Sequence, residues 1–484
     1  KYRTKTTNFI YSSLISLLIF TSPVFANTDA ITVIENNLKG HIRVKGEPDL
    51  GTSIVNRMKQ LNVPGLSVAV IHHGKIDWAK GYGIAHGTRK VDSTTLFQAG
   101  SISKPVAALA ALKLVEQGKL QLDVDVNKYL KGWKVEGELL TKENPVTLRH
   151  LLTHTGGLSG HGFPGYATGS EIPSTTGVLS GKGNTGKVEV KQVPGKKWKY
   201  SGGGYTVMQK IVEDVTGLSF AEYADNQILK PMGMFNSTYQ HALPKALKKR
   251  ASAAYNRNGK EHSAVYNDYP EKAAAGLWTT PSDLALYVMH MQAIMAGKKD
   301  GIIKRTTVAA MFTKHQKNWG LGPTLSEVNN QLVFGHGGKN LGFTNGFKAF
   351  VNKGEGMIVM SNGDNGGAIN NEIMIAISEH YDMGTHPRKT IEAIPLSLAE
   401  LKAFTGQYKL NKNNNFILKL KVFDGQLKVK AANEDQFSRL VPTQKMTFVN
   451  VVEPSKGPFV FRKDDTGKVS GIRVAKRFKF NKID

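Results

Sequence analysis

The sequence predicts an α+β protein: an antiparallel sheet flanked by helices, with an inserted helical domain and a separate small all-β domain at the C-terminal end. Three observations carry this expectation. Strand pairs occur early, at Leu66–Ile71 with Ile76–Tyr82, and late, at Phe343–Val351 with Met357–Ser361. The stretch between them is rich in helical periodicity. From about residue 395 the texture changes to short strands joined by hairpin turns.

In chain order, residues 1–26 read as a secretory signal peptide. Lys1, Arg3 and Lys5 form a basic start, and Phe9–Phe20 is an apolar run broken only by Ser12, Ser13 and Ser16. Pro23 and the small-residue pattern Val24-Phe25-Ala26 close it. The expected mature chain begins at Asn27 and is periplasmic or secreted. No other stretch reaches 18 uninterrupted apolar residues, so no transmembrane segment is expected in it.

Leu50, Ile54, Val55, Met58 and Leu61 then recur at helical spacing, ended by Val63-Pro64-Gly65. The two early strands flank a His73-Gly74-Lys75 turn. Ser101–Glu116 follows as a helix, with Ile102, Val106, Leu109 and Leu112 or Val115 inward and Gly118 suited to its C-terminal cap. Tyr205–Thr216 is a second helix, with Gly217 just past its end. The late strands turn at Lys353-Gly354, and Ala368–His380 is helical. After a boundary near Gly384–Pro387, Phe416–Val422 and Leu427–Ala431 flank Asp424-Gly425, and Phe459–Arg462 and Val469–Val474 flank Thr466-Gly467. The expected domains are therefore 27–384 and 395–484.

Composition narrows the function classes. Apolar residues make up 40% and charged residues 21%, ordinary for a chain that buries a core. With no cysteine, a thiolate nucleophile, a disulfide framework and a cysteine-ligated metal are all excluded. The formal net charge is +26. The lysines and arginines are spread along the chain without a basic helix or aromatic stacking motif, so nucleic acid is not the expected partner. A solvated surface explains the charge, and an anionic envelope polymer is the sharper partner class.

Chemistry concentrates in three places. Gly100-Ser101-Ile102-Ser103-Lys104 is an S-x-x-K at a predicted helix start, and no other serine is followed three residues later by lysine. Residues three apart share a helix face, so Lys104 can reach the Ser101 hydroxyl, which needs a neighbouring base to act as a nucleophile. The helix N-terminus offers N–H groups to a developing oxyanion. Tyr200-Ser201-Gly202 precedes the second helix, and a phenol beside a lysine can relay a proton. In His336-Gly337-Gly338 two glycines let a substrate lie against a strand, with the Lys339 N–H as second oxyanion donor.

Together the three motifs resemble, in their usual order, the signature of serine β-lactamases, penicillin-binding proteins and related esterases. Phe97–Lys104, Leu120–Asp123, Leu148–Thr155, Ile228–Met234 and Ala275–Thr280 are similar to the class C β-lactamase and D-aminopeptidase branch. The resemblance covers roughly residues 45–382 and implies a β-lactamase/transpeptidase-like fold. It implies Ser101 as nucleophile, Lys104 as general base and Tyr200 as proton relay. His336 stands where many relatives carry the lysine of K-T-G, and Gly202 where they carry an asparagine that binds the substrate amide.

Competing motifs are weaker. Gly181–Lys187 fits G-x-G-x-x-G and most of a P-loop, but Val188 replaces the required Ser or Thr and no strand precedes it. His150 and His154 are four apart without H-E-x-x-H, and His72-His73 reads as an exposed turn. No metal and no cofactor is expected. The leading expectation is a serine carboxylesterase or D-amino-acid peptidase acting on a small-molecule ester, peptide or cell-wall-derived substrate. A β-lactamase or cell-wall carboxypeptidase/transpeptidase is the alternative, and a non-catalytic envelope-binding protein is a third.

Overall fold

The computed structural model describes residues 28–298, 301–411, 416–432, 437–452 and 456–483. The leader-like residues 1–26 and the expected cleavage after Ala26 lie outside them.

Seven strands form one sheet in the order Arg89–Lys90, Lys75–His86, Gly65–His72, Gly356–Ser361, Phe343–Phe350, Gln331–Asn340 and Thr324–Val328, antiparallel throughout. The early and late hairpins thus meet in the middle, where Val68 pairs with Val359. Strand Gly65–His72 is buried along nearly its whole length because both faces are covered. Ala69 and Ile71 join the core that holds the Ser101 helix, while Leu66, Val68 and Val70 join the core beneath helix Gly366–His380. That split follows the two-residue alternation of a strand.

The helical insertion fills residues 100–311. Helix Ser103–Glu116 is buried almost all round, which its run of alanines and leucines dictates. It begins two residues later than expected, because Gly100–Ile102 form a single 3₁₀ turn. The second helix begins earlier, at Gly202, because Ser201 Oγ accepts from Gly204 N and caps it. It ends at Gly217, whose φ of 73° makes a left-handed cap.

The apolar stripe expected over Leu50–Leu61 forms only in part. Helix Ile54–Gln60 buries Ile54 and Met58, but Leu50 and Val55 face solvent, 86% and 67% exposed. Leu50 lies before the Ser53 cap, so it is not on the helix at all.

The C-terminal strands, from Gly406–Leu410 to Phe478–Lys482, close into an eight-stranded barrel. The first and last strands pair at Tyr408 and Lys482. Alternate residues, among them Tyr408, Leu420, Val429, Phe448, Phe461 and Phe480, fill the interior. Strand Lys389–Ile391 leads into the barrel and pairs in parallel with Ile42–Val44. Val441 packs against Val44 and Ile391, and Arg439 forks onto Glu47, so the barrel is fixed to the first segment of the chain.

Candidate active site

Ser101 sits in the 3₁₀ turn, with Lys104 on the first turn of the helix that follows. Lys104 is only 2% exposed. Its Nζ donates to Ser101 Oγ at 3.1 Å and to the Ala274 carbonyl at 2.7 Å. Ala274 belongs to the short helix Lys272–Ala275, which packs between the Ser101 helix and helix Gly202–Thr216. Ser103 fastens the same junction, because its Oγ accepts from Leu277 N at 3.0 Å.

Strand Gln331–Asn340 forms the opposite wall. Its pairing with Thr324–Val328 ends at Gly335, which leaves the edge from His336 onward to face the Ser101 turn. The approach is too close for side chains. A Cβ on Gly338 would lie 1.9 Å from Ala99 O, and one on Gly100, which has φ +55°, would lie 2.5 Å from Lys339 N. The two expected oxyanion donors, the Ser101 turn and Lys339 N, thus lie on adjoining backbones. Asn340, and Asn345 on the paired strand Phe343–Phe350, hold the edge there by donating to Gln98 Oε1 and Gln98 O, at 3.0 and 2.8 Å.

Tyr200 completes the group. Lys104 Nζ lies 5.0 Å from the centre of its ring, and the His336 ring lies 6.4 Å away. His336 Nδ1 is 2.5 Å from Gly337 O, so it carries the proton and donates, leaving Nε2 as a buried lone pair. Burial first, and the Lys104 charge second, push the imidazole down to about 3. The ring is therefore neutral at working pH and does not replace the positive charge that a K-T-G lysine would supply.

His154, weighed from the sequence only as half of a histidine pair, takes a different place, beside Tyr200. Its carbonyl accepts from Lys199 N at 2.8 Å, and its Nδ1 accepts from Ser201 N at 3.1 Å. It therefore brackets Tyr200 on both sides, while its ring lies 4.2 Å from the Tyr200 ring. Burial, then Lys104 and His336, hold His154 well below the usual imidazole range, so it stays neutral and can accept that bond. His154 itself takes a left-handed φ of 59°, which few non-glycine residues adopt. His150 instead caps helix Leu148–Leu152, accepting from Thr147 N, so the pair serves two structural tasks.

Gly202 lies against a wall. A Cβ there would meet Phe163 Cε2 at 2.7 Å and His161 O at 3.2 Å. The place of a side chain at this position is taken by the Phe163 ring. Trp198 and Trp319 form the rest of the Tyr200 side, 5.3 Å from one another and 6.5 and 5.7 Å from Tyr200.

The other sequence motifs fall elsewhere. Gly181–Lys187 is a turn after the short helix Thr175–Leu179 and has no preceding strand. His72 is not simply exposed, since its Nδ1 meets both oxygens of the buried Glu355 at 2.9 and 3.0 Å.

The Beta-lactamase family profile matches residues 52–379, about two thirds of the chain. The chain belongs to the β-lactamase family. It is 24% identical over 246 residues to Protein flp of Staphylococcus aureus (strain MRSA252), covering 49% of this chain and 45% of that protein. It is 28% identical over 198 residues to PbpX of Bacillus subtilis (strain 168), a protein named among the penicillin-binding proteins, covering 40% and 46%. The matches span less than half the length of these relatives. The octameric penicillin-binding protein homologue from Pyrococcus abyssi shares the fold, with a TM-score of 0.59, 24% identity and coverage of 89% of this chain and 98% of that one. SurE, solved with D-Leu, also shares it, at a TM-score of 0.54, 19% identity and coverage of 89% and 97%. The family supports a serine hydrolase in general. Among the described residues no helix is long and apolar enough to cross a membrane.

Proposed function

We propose that this protein is an exported serine hydrolase that forms an acyl-enzyme on Ser101, with esters favoured over amides. The observation that carries the reading is the Lys104 Nζ, buried and 3.1 Å from Ser101 Oγ. In its neutral form Lys104 takes the Ser101 proton as Oγ bonds to the substrate carbonyl carbon. The oxyanion is met by N–H groups of the Ser101 turn and of Lys339. Tyr200, set against Lys104, passes the proton to the leaving alkoxide as the C–O bond breaks. Water then attacks the acyl group and gives its proton back through the same pair, which frees Ser101.

Ester preference rests on Gly202, Phe163 and His336. An amide leaves poorly and needs orientation energy that a side chain at Gly202 would help to supply. Here that space holds the Phe163 ring, and neutral His336 adds no cation for a substrate carboxylate. A panel of p-nitrophenyl esters, D-alanyl peptides and a chromogenic cephalosporin tests this. The expected result is turnover of short-chain esters with weaker or absent cephalosporin hydrolysis. A kcat/KM for the cephalosporin above that for every ester would replace the reading with a β-lactamase.

A further inference from the structure

The two walls of the cleft differ in charge. On the strand side His336 is neutral, and the Lys339 ammonium is drawn to Asp364, 3.1 Å from its carbonyl and 3.9 Å from Oδ1. On the Tyr200 side the rim is made of two loops, residues 194–199 and 313–319. Gln316 Nε2 joins them by donating to Gly195 O at 2.6 Å, and the Lys317 ammonium lies over the Trp198 ring, 4.3 Å from its centre. Lys196, Lys197, Lys199, Lys314 and Lys317 stand on these loops, all exposed. Among the described residues none of the five has a carboxylate within 4.0 Å, although the chain forms such pairs elsewhere, as at Lys187 with Glu136. The acid nearest to His315 in charge terms is Asp123, and Arg149 already grips both of its oxygens at 2.7 Å.

Unpaired like charges held on two tied loops repel one another, a cost that a bound anion removes. The Trp198 ring links this rim to the chemistry, since the Lys317 ammonium lies 4.3 Å from its centre and the Tyr200 ring 6.5 Å away. Tyr200 is the group assigned to protonate the leaving alkoxide, so the rim adjoins the leaving half of the substrate. We infer that the rim formed by Lys197, Lys199 and Lys317 beside Trp198 is a subsite for an anionic group, a carboxylate or a phosphate, on the leaving half of the substrate. The inference rests on the acyl-enzyme reading for its side of the cleft.

The test compares three acetyl esters: 4-acetoxybenzoate, 4-acetoxyphenyl phosphate and neutral methyl 4-acetoxybenzoate, each corrected for its hydroxide-catalysed rate. At low salt kcat/KM for an anionic ester should exceed the neutral one by about tenfold or more. The advantage should collapse between roughly 0.01 and 1 M salt, as the screening length falls from about 30 to about 3 Å. The carboxylate and phosphate arms show which anion is preferred. Lys197→Glu with Lys317→Glu should bring the anionic-to-neutral ratio to one or below. The equal charge change on the barrel, Lys421→Glu with Lys468→Glu, should leave the ratio high. Binding of 4-hydroxybenzoate and its methyl ester to Ser101→Ala, read by calorimetry, tests the rim without turnover. Anion-selective binding with no ester hydrolysis would strike the acyl-enzyme reading and leave the subsite standing. Equal binding and equal kcat/KM at low salt, or a ratio indifferent to the rim substitutions, would overturn the subsite.

Discussion

Glu271→Gln should make the protein more stable at alkaline pH and leave it almost unchanged at acid pH. Glu271 begins the short helix whose Ala274 carbonyl holds Lys104. It is fully buried, and among the described residues no other residue gives either carboxylate oxygen a hydrogen bond, so its own backbone N–H is the only donor that opposes the effect of burial. Burial pushes its carboxyl from the ordinary 4.5 up to about 7. Between those values the folded protein keeps a proton that the unfolded chain has released. Stability therefore falls as pH rises through that window and is lowest above about 7. The difference between 4.5 and about 7 corresponds to roughly 3 kcal/mol, a large part of the ~5–15 kcal/mol typical of a domain. Glutamine has nearly the same shape and cannot ionise, so it removes that slope. All five tryptophans lie between Trp78 and Trp319, so urea unfolding followed by their fluorescence reads the sheet and helical part alone. Near pH 5 the two proteins should unfold at similar urea concentrations, and near pH 8.5 the variant should be ahead by up to ~3 kcal/mol. A difference that is the same at both pH values would refute the assignment of a buried carboxyl that no other residue partners.

Lys104→Ala and Tyr200→Phe should each lower acylation by orders of magnitude, and the double variant should lose far less than the product of the two, read by single-turnover kinetics. His154→Ala should lower kcat more than it raises KM, because it frees Tyr200 without touching substrate; His154→Asn, which keeps an acceptor, should recover part of the loss. Gly338→Ala should abolish turnover, since its Cβ would collide with Ala99 O at 1.9 Å, with the loss seen alongside a displaced unfolding midpoint. Gly202→Asn alone should not improve amide hydrolysis, because the Phe163 ring occupies the space, whereas Gly202→Asn with Phe163→Ala should raise the amide-to-ester ratio.

Much of the fold was legible because its signals are local. The 3.6-residue pattern of Tyr205–Thr216, the turn residues at Gly74 and Gly354, and the alternation in the C-terminal strands all operate within a few residues. Closure of the barrel was not, because pairing of Tyr408 with Lys482 joins strands that no hairpin turn connects. The register that brings Val68 beside Val359 is hidden for the same reason. The three motifs that the fold brings together stood out because S-x-x-K, Tyr200 and the glycine pair carry chemistry in their own letters. The walls around them did not. Ala274 acts through its backbone carbonyl, Phe163 by filling a void, and His154 by gripping the residues on either side of Tyr200. None of these roles leaves a spacing in the sequence, since each depends on chain segments brought together by the core.

Mass mapping of the protein after reaction with a fluorophosphonate tests most directly whether Ser101 is the residue acylated. The adduct should fall on Ser101, appear in proportion to the loss of esterase activity, and vanish in Ser101→Ala while that variant unfolds at the wild-type urea concentration. An adduct on another residue, or esterase activity that survives in Ser101→Ala, would contradict the mechanism.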